Sequence, residues 1–94
     1  MLVVLCHGYQ GSSYDMTLIK RWISLQLPDA YFLASKSNEF DTDGDIRQMG
    51  RNLAEEIEKY IANYLEEYEQ DNVIINLVGH SMGGIIARSA LPHL

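Results

Sequence analysis

Residues 76–85, Asn-Leu-Val-Gly-His-Ser-Met-Gly-Gly-Ile, force a strand to turn abruptly into a helix, and little else in the chain restricts the fold so tightly. Ahead of them, Val73, Ile74, Ile75, Leu77 and Val78 read as a fully buried strand. Behind them, Ile85 to Leu91 reads as a helix that Pro92 stops. Ser81 stands between, with Gly79 two residues before it and Gly83 two residues after. Gly-x-Ser-x-Gly between a strand and a helix is the setting of a nucleophile elbow. Such a turn holds its serine in strained backbone geometry with the hydroxyl raised above the sheet. Gly79 and Gly83 are then required because a Cβ would collide where strand and helix cross. The letters alone are a loose signal, since a glycine-rich turn with an idle serine has the same spelling. The flanking strand and helix favour the elbow.

A second apolar strand, Leu2-Val3-Val4-Leu5-Cys6, runs into His7-Gly8-Tyr9-Gln10-Gly11-Ser12-Ser13. Acyl transfer to a serine needs two backbone N–H groups aimed at the developing oxyanion. One belongs to the residue after the nucleophile, here Met82, at a helix N-terminus whose dipole favours negative charge. Tyr9, after His7-Gly8, is the candidate for the other. Each donor of this kind contributes roughly 3–4 kcal/mol to the transition state. An ordinary strand-end turn is the competing reading of His7-Gly8. Cys6 reads as a small buried filler, with His7 on the opposite side of the strand, and a lone cysteine forms no internal disulfide.

Between these segments strand and helix alternate. Asp15 reads as the N-cap of a helix with Leu18, Ile19, Trp22, Ile23 and Leu25 as its apolar stripe. Pro28-Asp29 turns the chain, and Ala30 to Ala34 forms a short strand. Ser35 to Asp45 is a polar loop, and Asp45 caps a long helix. Ile46, Met49, Gly50, Leu53, Ile57, Tyr60, Ile61, Tyr64, Leu65 and Tyr68 share one face of that helix. Glu55, Glu56, Glu58, Glu66, Glu67 and Glu69 form a solvated remainder without the interleaved histidines of a metal site. The alternation implies a parallel sheet joined by right-handed crossovers.

At these motifs the chain resembles the serine esterase family of lipase-like α/β-hydrolases. Cys6-His7-Gly8-Tyr9-Gln10-Gly11-Ser12 resembles the family's oxyanion loop. Asp43 to Ile46 with Met49 to Ile57 resembles the helix before the nucleophile strand, and Gly79 to Arg88 resembles the elbow and its helix. The resemblance implies a partial α/β-hydrolase over residues 1–94: a three-stranded parallel sheet, its first strand in the middle and helices on both faces. The Asp15 helix would lie on one face and the other two helices on the opposite face. Ser81 would be the nucleophile, Met82 and Tyr9 the oxyanion donors, and Gly79, Gly83, His7 and Gly8 their support. Neither a metal nor an organic cofactor is implied. The family's catalytic acid and histidine lie downstream of the elbow, beyond Leu94, in a missing half of the domain.

Within the chain neither partner of Ser81 is identifiable. His7 reads as a loop-shaping residue, His80 as packing beside a neighbouring strand, and His93 lies on the far side from the hydroxyl. Asp41, Asp43 and Asp45 read as solvated or capping. A net charge of −6 with seven basic residues, and no basic cluster, argues against nucleic acid or an electrostatic hold on anionic membranes. Any lipid contact would be apolar, and no apolar run approaches the length of a membrane span. The expectation is an intracellular protein, cytoplasmic or peripheral to lipid surfaces, acting on an ester or lipid substrate. The piece by itself would be inactive, with unprotected sheet edges that favour self-association. A non-catalytic hydrolase-like scaffold or binding domain is the alternative.

Overall fold

A computed structural model describes residues 1–8, 11–39, 44–64 and 74–94. Three strands, β1 (Leu2–Cys6), β2 (Tyr31–Ala34) and β3 (Ile75–Gly79), form a parallel sheet in the order β2-β1-β3. Helix α1 (Thr17–Gln26) joins β1 to β2, α2 (Ile46–Tyr64) precedes β3, and α3 (Met82–Ala90) follows it. Leu2 is in register with Tyr31 on one side and Ile75 on the other, as Leu5 is with Ala34 and Val78. Every residue of β1 is buried, because the strand has a neighbour on each edge and helices on each face. That is why Leu-Val-Val-Leu-Cys is continuously apolar rather than alternating.

Alternation along β1 divides the interior into two cores. Leu2, Val4 and Cys6 pack with Met49, Leu53 and Ile57 of α2 and with Ile86, Ala87 and Ala90 of α3. Val3 and Leu5 pack with Met16 on the other face, against which Ile19, Ile23, Phe32 and Val78 close. Helix α1 therefore covers one face and α2 with α3 the other, the arrangement right-handed crossovers impose on this strand order. The two helices on the shared face approach closely at Gly50, where a Cβ would stand 2.8 Å from that of Ser89. The Ser89 hydroxyl donates to the Ile46 carbonyl at 3.3 Å.

The long helix follows its expected pattern: Met49, Leu53 and Ile57 are buried, with Ile46, Tyr60 and Ile61 packed beside them. Asp45 caps it, its carboxylate accepting the Arg47 N–H at 2.8 Å. Leu65, Tyr68, Val73 and the distal glutamates lie outside the described residues, and so does the expectation placed on them.

Four expectations are corrected. Asp15 is not the N-cap. Ser12 caps a 3-10 turn, Ser13–Met16, that precedes α1, and Asp15 completes the capping box by accepting the Ser12 N–H at 2.8 Å. The extra turn shifts the cap upstream by three residues. Of the five apolar positions assigned to one stripe of α1, only Ile19 and Ile23 pack against the sheet; Leu18, Trp22 and Leu25 are exposed. Finally, β3 is not fully buried: it is an edge strand, with Ile74 just ahead of it and Asn76 both exposed. The second strand also begins at Tyr31, not Ala30.

Candidate active site

Only His80 and Ser81 separate the end of β3 from the start of α3. To reverse direction so quickly, Ser81 adopts φ 57° and ψ −125°, and it is the one non-glycine residue with positive φ among the described residues. Such a conformation costs on the order of 1–3 kcal/mol and persists only where its surroundings enforce it. Here the enforcement is visible. The His80 N–H donates to the Cys6 carbonyl at 3.0 Å, tying the turn to the end of β1. The Gly83 and Gly84 N–H groups donate to the His80 and Ser81 carbonyls at 2.9 and 3.1 Å. Ser81 itself is exposed and its side chain makes no capping bond to α3.

The glycines allow the close crossing. A Cβ on Gly83 would run into the Cys6 carbonyl and stand 2.6 Å from the His7 carbonyl oxygen. One on Gly79 would run into the backbone of Gly84. Both obstacles are main chain, which cannot swing aside as a side chain could. At Gly84 there is open space instead.

The His7-Gly8 segment comes to the same point. A Cβ on Gly8 would lie 3.1 Å from both the His80 carbonyl oxygen and the Ser81 Cβ, so its backbone passes directly beside the elbow. His7 is buried, and its Nδ1–H donates to the Gly8 carbonyl at 3.1 Å. That carbonyl also accepts the Gly11 N–H at 3.0 Å, which draws the loop around it. Tyr9 lies outside the described residues. The far end of the loop is tied down by Glu39, whose carboxylate accepts the Ser13 N–H at 2.7 Å. That bond holds the Glu39 carboxyl below the usual glutamate range. Sequence reading missed Glu39 because it comes from a segment 26 residues away, with no motif around it.

Other candidates are placed elsewhere. The strand ends at Cys6, so alternation no longer separates it from His7; both border one small void with Ser35, Asn38, Leu53 and Ile86. Burial, and secondarily the charge of Glu56, pushes the Cys6 thiol up to about 12. A thiol held that firmly in its protonated form is no nucleophile. His80 is exposed rather than packed beside a strand: its backbone is fixed, and its Nδ1 would stand 3.6 Å from a Cβ on Gly8, so the ring lies toward the His7-Gly8 segment. His93 sits beyond the far end of α3, roughly 15 Å or more from Ser81 by helix length. Asp45 is committed to its cap, and Asp41 and Asp43 lie outside the described residues. Among the described residues, no three His, Cys, Asp or Glu side chains are grouped as a metal site. No described helix is long and apolar enough to cross a membrane.

The structure thus brings Ser81, Met82, Gly79, Gly83, His7 and Gly8 together at the C-terminal edge of a parallel sheet. Sheet and turn define a partial α/β fold organised around a serine elbow. Across residues 1–94 the chain matches the family described as Putative serine esterase (DUF676), and it belongs to that family. No solved structure matches it.

Proposed function

We propose that this chain supplies the nucleophile and the oxyanion-binding part of a serine hydrolase that cleaves carboxylic esters, lipid acyl esters in particular. Ser81 Oγ attacks the ester carbonyl carbon, and its proton passes to a histidine base that is not identified among the described residues. The carbonyl oxygen gains negative charge and is met by the N–H of Met82, first in α3, and by that of Tyr9. The alcohol leaves with a proton, and water then hydrolyses the acyl-serine to release the acid and restore Ser81. No cofactor enters this scheme. The observation that carries the reading is the conformation of Ser81: a strained, exposed serine held against the end of β1 and beside Gly8. Backbone strain on an idle serine would have no return.

Without a histidine base Ser81 is an alcohol of ordinary reactivity, so residues 1–94 alone should show no Ser81-dependent ester hydrolysis. The unpaired edges of β2 and β3 should favour self-association of the isolated chain. The test uses a protein that carries both this chain and a downstream histidine and carboxylate. A fluorophosphonate probe is expected to label Ser81 there, with the label lost in Ser81→Ala. Absence of labelling in the folded protein, beside a reactive control hydrolase, would establish the scaffold alternative instead.

A further inference from the structure

The chain that leaves β2 is fastened on every side before it reaches α2. Lys36 to Glu39 forms a turn closed by the Glu39 N–H on the Lys36 carbonyl at 3.1 Å. Just ahead of it, the Ser35 N–H donates to the Leu5 carbonyl of β1 at 2.9 Å. Glu56 of α2 accepts the Ser35 hydroxyl at 2.6 Å and the Lys36 N–H at 2.8 Å. Asn38, only 3% exposed, donates to the Met49 carbonyl at 3.0 Å and accepts from the Asn52 amide at 3.1 Å. Water could satisfy the polar groups of an ordinary surface turn. Fixing this one to both β1 and α2 aims a single side chain, that of Glu39, at the segment that follows β1.

In that segment the 3-10 turn begins with N–H groups that have no partner in a helical ladder. The Ser12 N–H is met by Asp15 at 2.8 Å and the Tyr14 N–H by the Ser12 hydroxyl at 3.3 Å. The Ser13 N–H is met from outside, by Glu39 at 2.7 Å. Glu39 is ionised at neutral pH, so the bond is charge-assisted. From Ser13 the path to the nucleophile is short. A Cβ on Gly11 would run into the Asp15 carboxylate, the Gly11 N–H donates to the Gly8 carbonyl at 3.0 Å, and a Cβ on Gly8 would lie 3.1 Å from that of Ser81. We propose that Glu39 is a positioning residue, which holds the His7–Ser13 loop against the elbow so that the loop's backbone donor is in place for the oxyanion. The inference rests on the hydrolase reading given above. Folding stability depends little on this bond, because Ser13 and Glu39 are only half-buried and water can replace either partner. Rate is more sensitive, since a misplacement of about 1 Å can cost on the order of a hundredfold.

The test compares Glu39→Ala and Glu39→Gln in a protein that carries this chain with a downstream histidine and carboxylate. Glu39→Ala should lower kcat for a short-chain ester roughly ten- to hundredfold, less than the roughly 10²–10³ lost with an oxyanion donor itself. KM should stay within about threefold, because the lost interaction acts in the transition state. Glu39→Gln keeps an acceptor oxygen for the Ser13 N–H and should recover most of the loss. Both variants should unfold within about 3 °C of the parent. Amide exchange in Glu39→Ala should quicken at Gly11 and Ser13 and stay unchanged at Leu53 of α2. Full turnover in Glu39→Ala, beside a parent whose turnover requires Ser81, would overturn this inference and leave the hydrolase reading standing. So would a Glu39→Gln variant as slow as Glu39→Ala, or a loss carried by KM with kcat intact. A Glu39→Ala protein that fails to fold would show a structural tie and overturn it as well. A parent without Ser81-dependent turnover would instead refute the hydrolase reading, and this inference with it.

Discussion

Gly83 and Gly84 are adjacent in α3, yet a methyl group on each should act in opposite directions. On Gly83 it would run into the Cys6 carbonyl and stand 2.6 Å from the His7 oxygen and 2.8 Å from the Cys6 carbonyl carbon. Ordinary contact needs 3.4 Å or more. Relief therefore requires α3 to withdraw from β1 by the better part of an ångström, and β1 is the fully buried middle strand. Overpacking of this kind costs about 3 kcal/mol where nothing flexible yields. Replacing glycine by alanine in a helix returns at most about 1 kcal/mol. Gly83→Ala should thus lose about 2 kcal/mol or more, lowering Tm by about 8–16 °C in a chain of this size. Nothing lies within 4 Å of the corresponding position on Gly84. Gly84→Ala should keep the propensity gain, about 0.5–1 kcal/mol, and raise Tm by a few degrees. Thermal and urea unfolding followed by circular dichroism would compare the two variants with the parent. A Gly83→Ala protein as stable as Gly84→Ala would refute the crossing of α3 over β1, and with it the geometry attributed to Ser81.

The strain at Ser81 resides in its φ of 57° and not in its hydroxyl. Ser81→Gly should therefore be more stable than Ser81→Ala, by about 1 kcal/mol, and equal unfolding midpoints would show that the turn stores no strain. Cys6, its thiol pushed up to about 12, should resist alkylation in the folded chain through mildly alkaline pH and react only at the rate of unfolding. The unfolded thiol ionises near its ordinary value of about 8.5. This contribution to stability is therefore complete below that value and lost as pH rises toward 12. Pulsed alkylation at increasing pH reads the effect, and rapid labelling of native protein near neutrality would contradict the burial.

The turn around Ser81 was legible because its steric constraint is local. Gly79 and Gly83, on either side of Ser81, announce a crossing too tight for side chains, and the structure places backbone where each of their Cβ atoms would be. Continuous apolar β1 announced a strand covered on both faces, and the strand order implied by the resemblance, taken with right-handed crossovers, sorted α1 from α2 and α3. What local pattern could not supply was the identity of the neighbours. Periodicity marks the apolar positions of α1 but not which of them meet the sheet, so Leu18, Trp22 and Leu25 were grouped with Ile19 and Ile23 although they face away. Hydrophobicity marked β3 as a strand but read it as fully buried; its edge position followed only from the strand order that the resemblance implied. Glu39 gave no signal at all, since its bond to Ser13, 26 residues away along the chain, exists only once the segment between them has folded. Residue type and spacing determine what a segment can become; burial and long-range hydrogen bonds depend on what is packed against it, and only the tertiary structure decides that.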